Sequence, residues 1–277
     1  MPYAHRGESE IYYEARGTGP PLLLLEGLGY GLWMWRGQSP ALEDRFRLLL
    51  VDHRGVGRST PLTGPYSMSE FARDALAVLD AEGIDRAAVL GPSMGGFIAQ
   101  SMAALDPGRV TGMILACTSS GGPTSQPIPP ATWAEMTRVV PNESAIDRLR
   151  RTMSLALTPS FPRDHGAEFE GIIADRLASP TDPTQWTFQA MSSLTFDARE
   201  SDARLTVRTL VTTGTEDRVV PCTNSLALYK TIPGASIALF RGQNHLHLLE
   251  RAEAFNRIVE EFLLAPTDAP PFVREVD

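Results

Sequence analysis

The segment Gly91-Pro92-Ser93-Met94-Gly95-Gly96 lies between a short apolar run, residues 86–91, and a stretch in which Phe97, Ile98, Met102 and Leu105 recur at helical spacing. No other feature restricts the fold as narrowly. A buried strand that passes directly into a helix must turn sharply, and the glycines around Ser93 make that turn sterically possible. A serine hydroxyl is a poor nucleophile at neutral pH. It becomes a good one when exposed on such a turn, beside a base and beside donors for an oxyanion. The partial positive charge of the helix N-terminus favours a developing anion at the same point.

The same rhythm runs through most of the chain. Short apolar runs bounded by Gly, Pro, Asp or Ser predict strands at residues 10–16, 21–26, 47–52, 86–91, 110–117, 206–213 and 235–240. All but the first lack polar alternation, which suits strands covered on both faces. Helical period predicts helices over residues 67–83, 93–106 and 251–264, the first opening with a capping box formed by Ser67 and Glu70. Alternating strands and helices predict an α/β fold, a mostly parallel twisted sheet flanked by helices. From residue 119 to residue 200 the strands stop, and a loop rich in Ser, Gly and Pro leads into helical patches carrying Trp133, Met136, Met153, Phe169, Ile172, Trp186, Met191 and Phe196. The expected organisation is a core of residues 1–118 and 201–277 with a helical cap inserted over 119–200. Such a cap forms its own small core, and its inner face also serves as a lid lining a pocket. The tail from Ala265, with three prolines, is expected to be extended or frayed.

Composition narrows the function. A net charge of −8 and no basic run argue against a nucleic-acid groove. The longest apolar runs are far below the roughly 20 residues that span a bilayer, and residues 1–18 carry five charges where a secretory signal has an apolar core, so a cytoplasmic location is expected. Cys117 and Cys222 form no metal-ligand spacing and read as packing residues. The sequence is silent on oligomeric state.

Three further segments follow predicted strands. Residues 26–29 read Glu-Gly-Leu-Gly, with Trp33 and Trp35 downstream. Residues 52–59 read Asp-His-Arg-Gly-Val-Gly-Arg-Ser. After residue 213 comes Gly-Thr-Glu-Asp-Arg-Val-Val-Pro, and after residue 240 Arg-Gly-Gln-Asn-His-Leu-His. With the turn at Ser93 these resemble the α/β-hydrolase superfamily along nearly the whole chain outside the insertion. The resemblance implies a serine hydrolase, esterase- or enol-lactonase-like, that needs no cofactor or metal. It makes Ser93 the nucleophile, Asp217 the acid that orients the base, with its neighbour Glu216 as substitute, and His245 the base, with His247 as competitor. The order Ser, Asp, His along the chain is that of the superfamily. The backbone N–H groups of Leu28 and Met94 would form the oxyanion hole, and Asp52 and Arg54 would be scaffold.

Where the superfamily usually carries histidine before Gly27, this chain has Glu26. Its carboxylate would oppose an oxyanion unless it pairs with an arginine, is kept neutral by burial, or simply ends the strand; arginine pairing is the expectation. Trp33, Trp35, Trp186, Met191 and His247 are expected around a pocket for a small hydrophobic ester or lactone. An acidic substrate would need a cation there, for which Arg138, Arg148, Arg150, Arg151, Arg163 and Arg176 are available. Hydrolysis of a C–C bond, cofactor-free perhydrolysis and slow-turnover binding of a small molecule are alternatives on the same fold.

Overall fold

The computed structural model describes residues 2–277. In chain order its strands are β1 (Tyr3–Arg6), β2 (Ser9–Arg16), β3 (Pro21–Leu25), β4 (Arg47–Val51), β5 (Ala87–Pro92), β6 (Val110–Ala116), β7 (Thr209–Gly214), β8 (Ser236–Phe240) and β9 (Val273–Val276). The helices are α1 (Ser39–Leu42), α2 (Met68–Ala81), α3 (Met94–Leu105), α4 (Pro130–Thr137), α5 (Ala145–Ala156), α6 (Phe161–Asp164), α7 (Gly166–Ala178), α8 (Pro183–Leu194), α9 (Arg199–Asp202), α10 (Cys222–Thr231), α11 (His247–Glu250) and α12 (Ala252–Leu264). Among the described residues no helix is long and apolar enough to cross a membrane.

The strands form one sheet in the order β1-β2-β4-β3-β5-β6-β7-β8-β9. Pairing is antiparallel at β1–β2 and β2–β4 and parallel from β4 to β9. Side chains of successive strand residues point to opposite faces, so each apolar run feeds two cores. Leu23, Leu25, Leu49 and Val51 pack with α2 and α3 on one face, whereas Leu22, Leu24, Leu48 and Leu50 pack with Trp35, Phe46 and α12 on the other. After β3 the chain steps to β4 on one side, and it returns to β5 on the other. Ligand sites in open α/β sheets lie at the carboxyl ends of strands where the winding reverses in this way. Here those ends are Glu26 to Leu28 after β3 and Ser93 after β5.

Two local expectations need correction, and a third, the extended or frayed tail, resolves to its extended form. Ser67 precedes α2 with extended backbone, but its side chain makes no cap bond. Glu70 is instead held by Arg6 and Arg73, which outcompete a hydroxyl for its charge. The tail is not frayed, since β9 extends the sheet beside β8. The helical segment between β6 and β7 does not build a separate core either. Met153, Leu157, Phe161, Phe169 and Ile172 join the same cluster as Trp35 and α12, while Phe196 joins the α2–α3 side.

Candidate active site

Ser93 caps α3 in a conformation that side chains rarely adopt (φ 54°, ψ −121°). Close packing holds it there. A Cβ on Gly91 would fall on the Gly95 carbonyl, and a Cβ on Gly95 on the Leu25 carbonyl. The turn is thus wedged between β3, β5 and its own helix, and the Ser93 N–H is tied to the Ala116 carbonyl of β6 (2.8 Å). Strain of this kind costs on the order of 1–3 kcal/mol and persists where the surroundings over-determine it.

The parallel register carries the site across the sheet. Pro92 pairs with Ala116, Ala116 with Thr212, and Gly214 with Phe240, so the loops after β5, β6, β7 and β8 open on one edge. On the loop after β7, Asp217 is buried. Its Oδ1 accepts the Val219 and Val220 N–H groups (both 2.8 Å), and its Oδ2 accepts from His245 Nδ1 (2.8 Å). Glu216 is exposed. His245 follows β8 and is held by Asn244, whose Oδ1 accepts the His245 and Arg218 N–H groups (both 2.8 Å). Cys117, in the left-handed region at φ 43°, is fully buried, and its thiol touches the His245 imidazole. Burial pushes that thiol's pKa up, so it stays neutral. Burial opposes charge on His245 as well, but the Asp217 carboxylate more than offsets it, and the imidazole pKa is raised well above 6.5.

The donor atoms of Cys117, Asp217 and His245 lie within 4.8 Å of one another. Sulfur, imidazole and carboxylate donors together suit a borderline divalent ion such as zinc. In this structure, however, His245 Nδ1 and Asp217 Oδ2 are already joined by their own hydrogen bond, as a base and the acid that orients it are.

Glu26 has no arginine. It is completely buried, its Oε1 accepts from Trp35 Nε1 (3.3 Å), and its Oε2 has no hydrogen-bond partner. His53 Nε2 stands 3.1 Å from the Glu26 carbonyl and 3.5 Å from Oε2. Burial first, and the Asp52 charge second, raise the Glu26 pKa well above the ordinary value, while burial drops His53 to about 4. Burial therefore favours the uncharged form of both side chains, and the second of the three arrangements replaces the expected ion pair. Arg54 goes elsewhere, making two bonds to Asp74 of α2 (2.6 and 3.0 Å).

The tryptophans divide. Trp35 is wholly buried as a core anchor, not a pocket wall. His247 is corrected in the same way: its Nε2 is 3.0 Å from Thr212 Oγ1, and its ring packs against Phe240 and Phe255 behind His245. Met191 is about half exposed at 47% and turns toward solvent. Trp33 stacks on Tyr30 (5.1 Å between centroids), and Trp186 leaves no room for a Cβ on Gly29. These two flank the loop after β3, and a Cβ on Gly27 of that loop would lie 3.6 Å from Ser93 Cβ. Neither the Leu28 nor the Met94 N–H has a backbone or side-chain acceptor among the described residues.

Sequence reading missed the residues that lock this loop to the insertion. Gln189 of α8, fully buried, accepts from the Gly29 N–H (2.9 Å) and donates to the Arg54 carbonyl (3.1 Å). Thr181 donates to the Gly29 carbonyl (2.8 Å). Gln185 and Ser192, one turn to either side of Gln189, bind the backbone of Leu62 and Tyr66. The spacing of 185, 189 and 192 was a helical signal, but of polar residues, which a search for apolar periodicity passes over.

Comparison with known proteins adds a family and relatives. A family model described as the alpha/beta hydrolase fold matches residues 20–252. A putative carbamate hydrolase, RutD, of Azorhizobium caulinodans is 32% identical over 262 residues, covering 95% of this chain and 98% of its own. A 2-hydroxy-6-oxononadienedioate/2-hydroxy-6-oxononatrienedioate hydrolase of Cupriavidus pinatubonensis is 30% identical, covering 93% of this chain and 92% of its own. Among solved structures, the enol-lactonase of Burkholderia xenovorans LB400 superposes with a TM-score of 0.82 at 26% identity, over 95% of this chain and 100% of that one.

Proposed function

This chain belongs to the α/β-hydrolase family, and from that premise we propose that it is a serine hydrolase cleaving a carboxylic ester or lactone through an acyl-enzyme. The observation that carries the reading is the buried 2.8 Å bond from His245 Nδ1 to Asp217, on loops that open at the same sheet edge as a serine held at φ 54°. That bond fixes the imidazole tautomer, leaving Nε2 to take the proton of Ser93 as its oxygen attacks the carbonyl carbon. The Leu28 and Met94 N–H groups receive the oxyanion; as the tetrahedral intermediate collapses, His245 returns the proton to the leaving alkoxide. Water, activated by the same imidazole, then releases the acid. Burial raises the Glu26 pKa and so favours the form that places no charge against the oxyanion, which is compatible with this chemistry. In this reading α4 to α8 act as a cap, fastened over the oxyanion loop by Gln189 and Thr181.

A second reading, hydrolysis of a C–C bond in a vinylogous ketone, uses the same side chains and is favoured by the relative named for a dienedioate substrate. One experiment addresses both. A panel of p-nitrophenyl esters, lactones and a vinylogous ketone dioate is offered to wild type and to Ser93→Ala. Ester or lactone turnover that falls by roughly a million-fold in kcat on substitution supports the first reading. Near-normal turnover in Ser93→Ala rejects both, and turnover of the ketone alone selects the second.

A further inference from the structure

We propose that Asn244 is a positioning residue through which the last turn of α5 sets the geometry of the Asp217–His245 pair; this rests on the hydrolytic reading of that pair. Helix α5 belongs to the insertion and ends at Ala156. The final carbonyls of any helix lack intrahelical donors and must find them elsewhere. The residue that follows, Leu157, is extended (φ −106°, ψ 162°), so the chain does not curl back to close the helix.

The donors come instead from the two loops that carry the acid and the base. Arg218, next to Asp217, gives its guanidinium Nη2 to the carbonyls of Ser154 (3.1 Å) and Leu157 (3.0 Å). Leu246, just after His245, gives its N–H to the carbonyl of Ala156 (2.9 Å). Asn244, just before His245, gives its Nδ2 to those of Leu155 (3.0 Å) and Leu157 (2.6 Å). Every carbonyl from residue 154 to residue 157 is thus held by an immediate neighbour of Asp217 or His245. The Arg218 charge also meets the negative end of the helix dipole.

A primary amide has two N–H donors and one oxygen that accepts two bonds. Asn244, only 1% exposed, uses all of them. Its Oδ1 takes the N–H groups of His245 and Arg218, so one oxygen ties the backbone of the base to the loop of the acid. Its Nδ2 ties both to α5. No other side chain of this length serves both ends: aspartate would set a charge against two carbonyls, and leucine would strip all four bonds from a buried place, where groups left without a partner are costly. The Nδ1–Oδ2 bond of the pair closes only while the two loops keep their spacing. The insertion therefore helps to build the pair rather than merely cover it.

The test reads the pair with and without turnover. A proton held between an imidazole nitrogen and a buried carboxylate resonates far downfield of the amide region in the NMR spectrum, and wild-type His245 is expected to show one. Asn244→Ala is expected to lose or weaken that resonance. It should also lower kcat on the best ester or lactone by about 10- to 100-fold, the loss that a misplacement on the order of 1 Å brings, with KM within about threefold. Arg218→Met leaves Asn244 in place and cuts α5 from the acid loop, so it moves both readouts the same way, by about three- to tenfold in kcat; it also serves if Asn244→Ala does not fold. A folded Asn244→Ala with the wild-type resonance and kcat overturns the proposal, and so does a rise in KM alone, which is what a simple cover over the substrate would give. An Asn244-dependent resonance in a protein whose hydrolysis Ser93→Ala does not lower keeps the positioning role and removes the hydrolytic reading. Ser93-dependent hydrolysis with a resonance that neither variant moves does the reverse.

Discussion

Replacing Gln189 by methionine keeps the length of the side chain and removes both of its hydrogen bonds. Wild-type Gln189 is fully buried and ties the Gly29 N–H (2.9 Å) to the Arg54 carbonyl (3.1 Å), one residue beyond the Leu28 donor. Each net hydrogen bond contributes about 1 kcal/mol, and a buried backbone group left without a partner costs about 1–3 kcal/mol. Gly29 and Arg54 are both buried, so the variant should lose about 2–4 kcal/mol of stability. The catalytic effect is separable. Loss of one oxyanion donor costs about a hundred- to thousandfold in rate, and a loop that keeps the donor but loses its tether should lose part of that, about 10- to 100-fold in kcat. Because the oxyanion exists only after attack, KM should stay within about threefold. The assay is saturation kinetics on the best ester of the panel well below the melting temperature, with a urea midpoint on the same sample. Thr181→Val, which cuts the second tether at Gly29, should act in the same direction but more weakly. A folded Gln189→Met enzyme with unchanged kcat would refute the claim that the insertion positions the oxyanion loop.

Other expectations concern protons. In the proposed mechanism only neutral His245 takes the Ser93 proton, and its pKa is raised by Asp217 against the opposing effect of burial, so kcat/KM should fall as pH drops through a midpoint above 6.5; a midpoint at or below 6.5 contradicts this. The Glu26 pKa is raised in the folded state, first by burial and then by the Asp52 charge. Its contribution to stability is complete below the unfolded carboxyl value and is lost as pH rises toward the folded one, so the urea midpoint of Glu26→Gln should gain on wild type toward alkaline pH, and a constant difference would count against it. Asp202, buried with neither carboxyl oxygen hydrogen-bonded, is pushed from 3.8 up to about 7, a gap worth about 4 kcal/mol. By the same sign, wild type should lose that amount between about pH 4 and pH 7. Asp202→Asn should flatten the slope, and parallel pH–stability curves for the two proteins would refute the burial argument.

The parallel body of the sheet was legible because β3 to β8 are mainly apolar runs of five to seven residues, and a run such as Leu22 to Leu25 has one reading when it must fill two cores. The glycines at 91 and 95 carried the turn at Ser93, since their positions are dictated by backbone contacts between neighbours in sequence and sheet. Asp217 and His245 were found by resemblance to a family and by chain order; their contact is a tertiary fact. Glu26 was misjudged because a carboxylate in a sequence suggests a cationic partner, whereas the fold encloses it with Trp35 and His53 and removes its charge. Trp35 and His247 were placed in a pocket for their type, and only packing reveals that they face the core. The tail reads as extended or frayed, without a choice between them, because Val273 to Val276 is a short edge strand whose order comes from pairing with β8. The four bonds of Asn244 could not have been seen in the sequence, since three of their partners lie far from it along the chain.

The central claim is that Ser93 becomes covalently acylated during turnover. A p-nitrophenyl phosphonate transfers its phosphonyl group to an activated serine and stops there, and mass spectrometry reads the result directly. Wild type should gain one phosphonyl group, on the peptide containing Ser93, with loss of activity in proportion, and Ser93→Ala should gain none. Full activity in unlabelled protein, or inactivation with the label on another residue, would contradict the account.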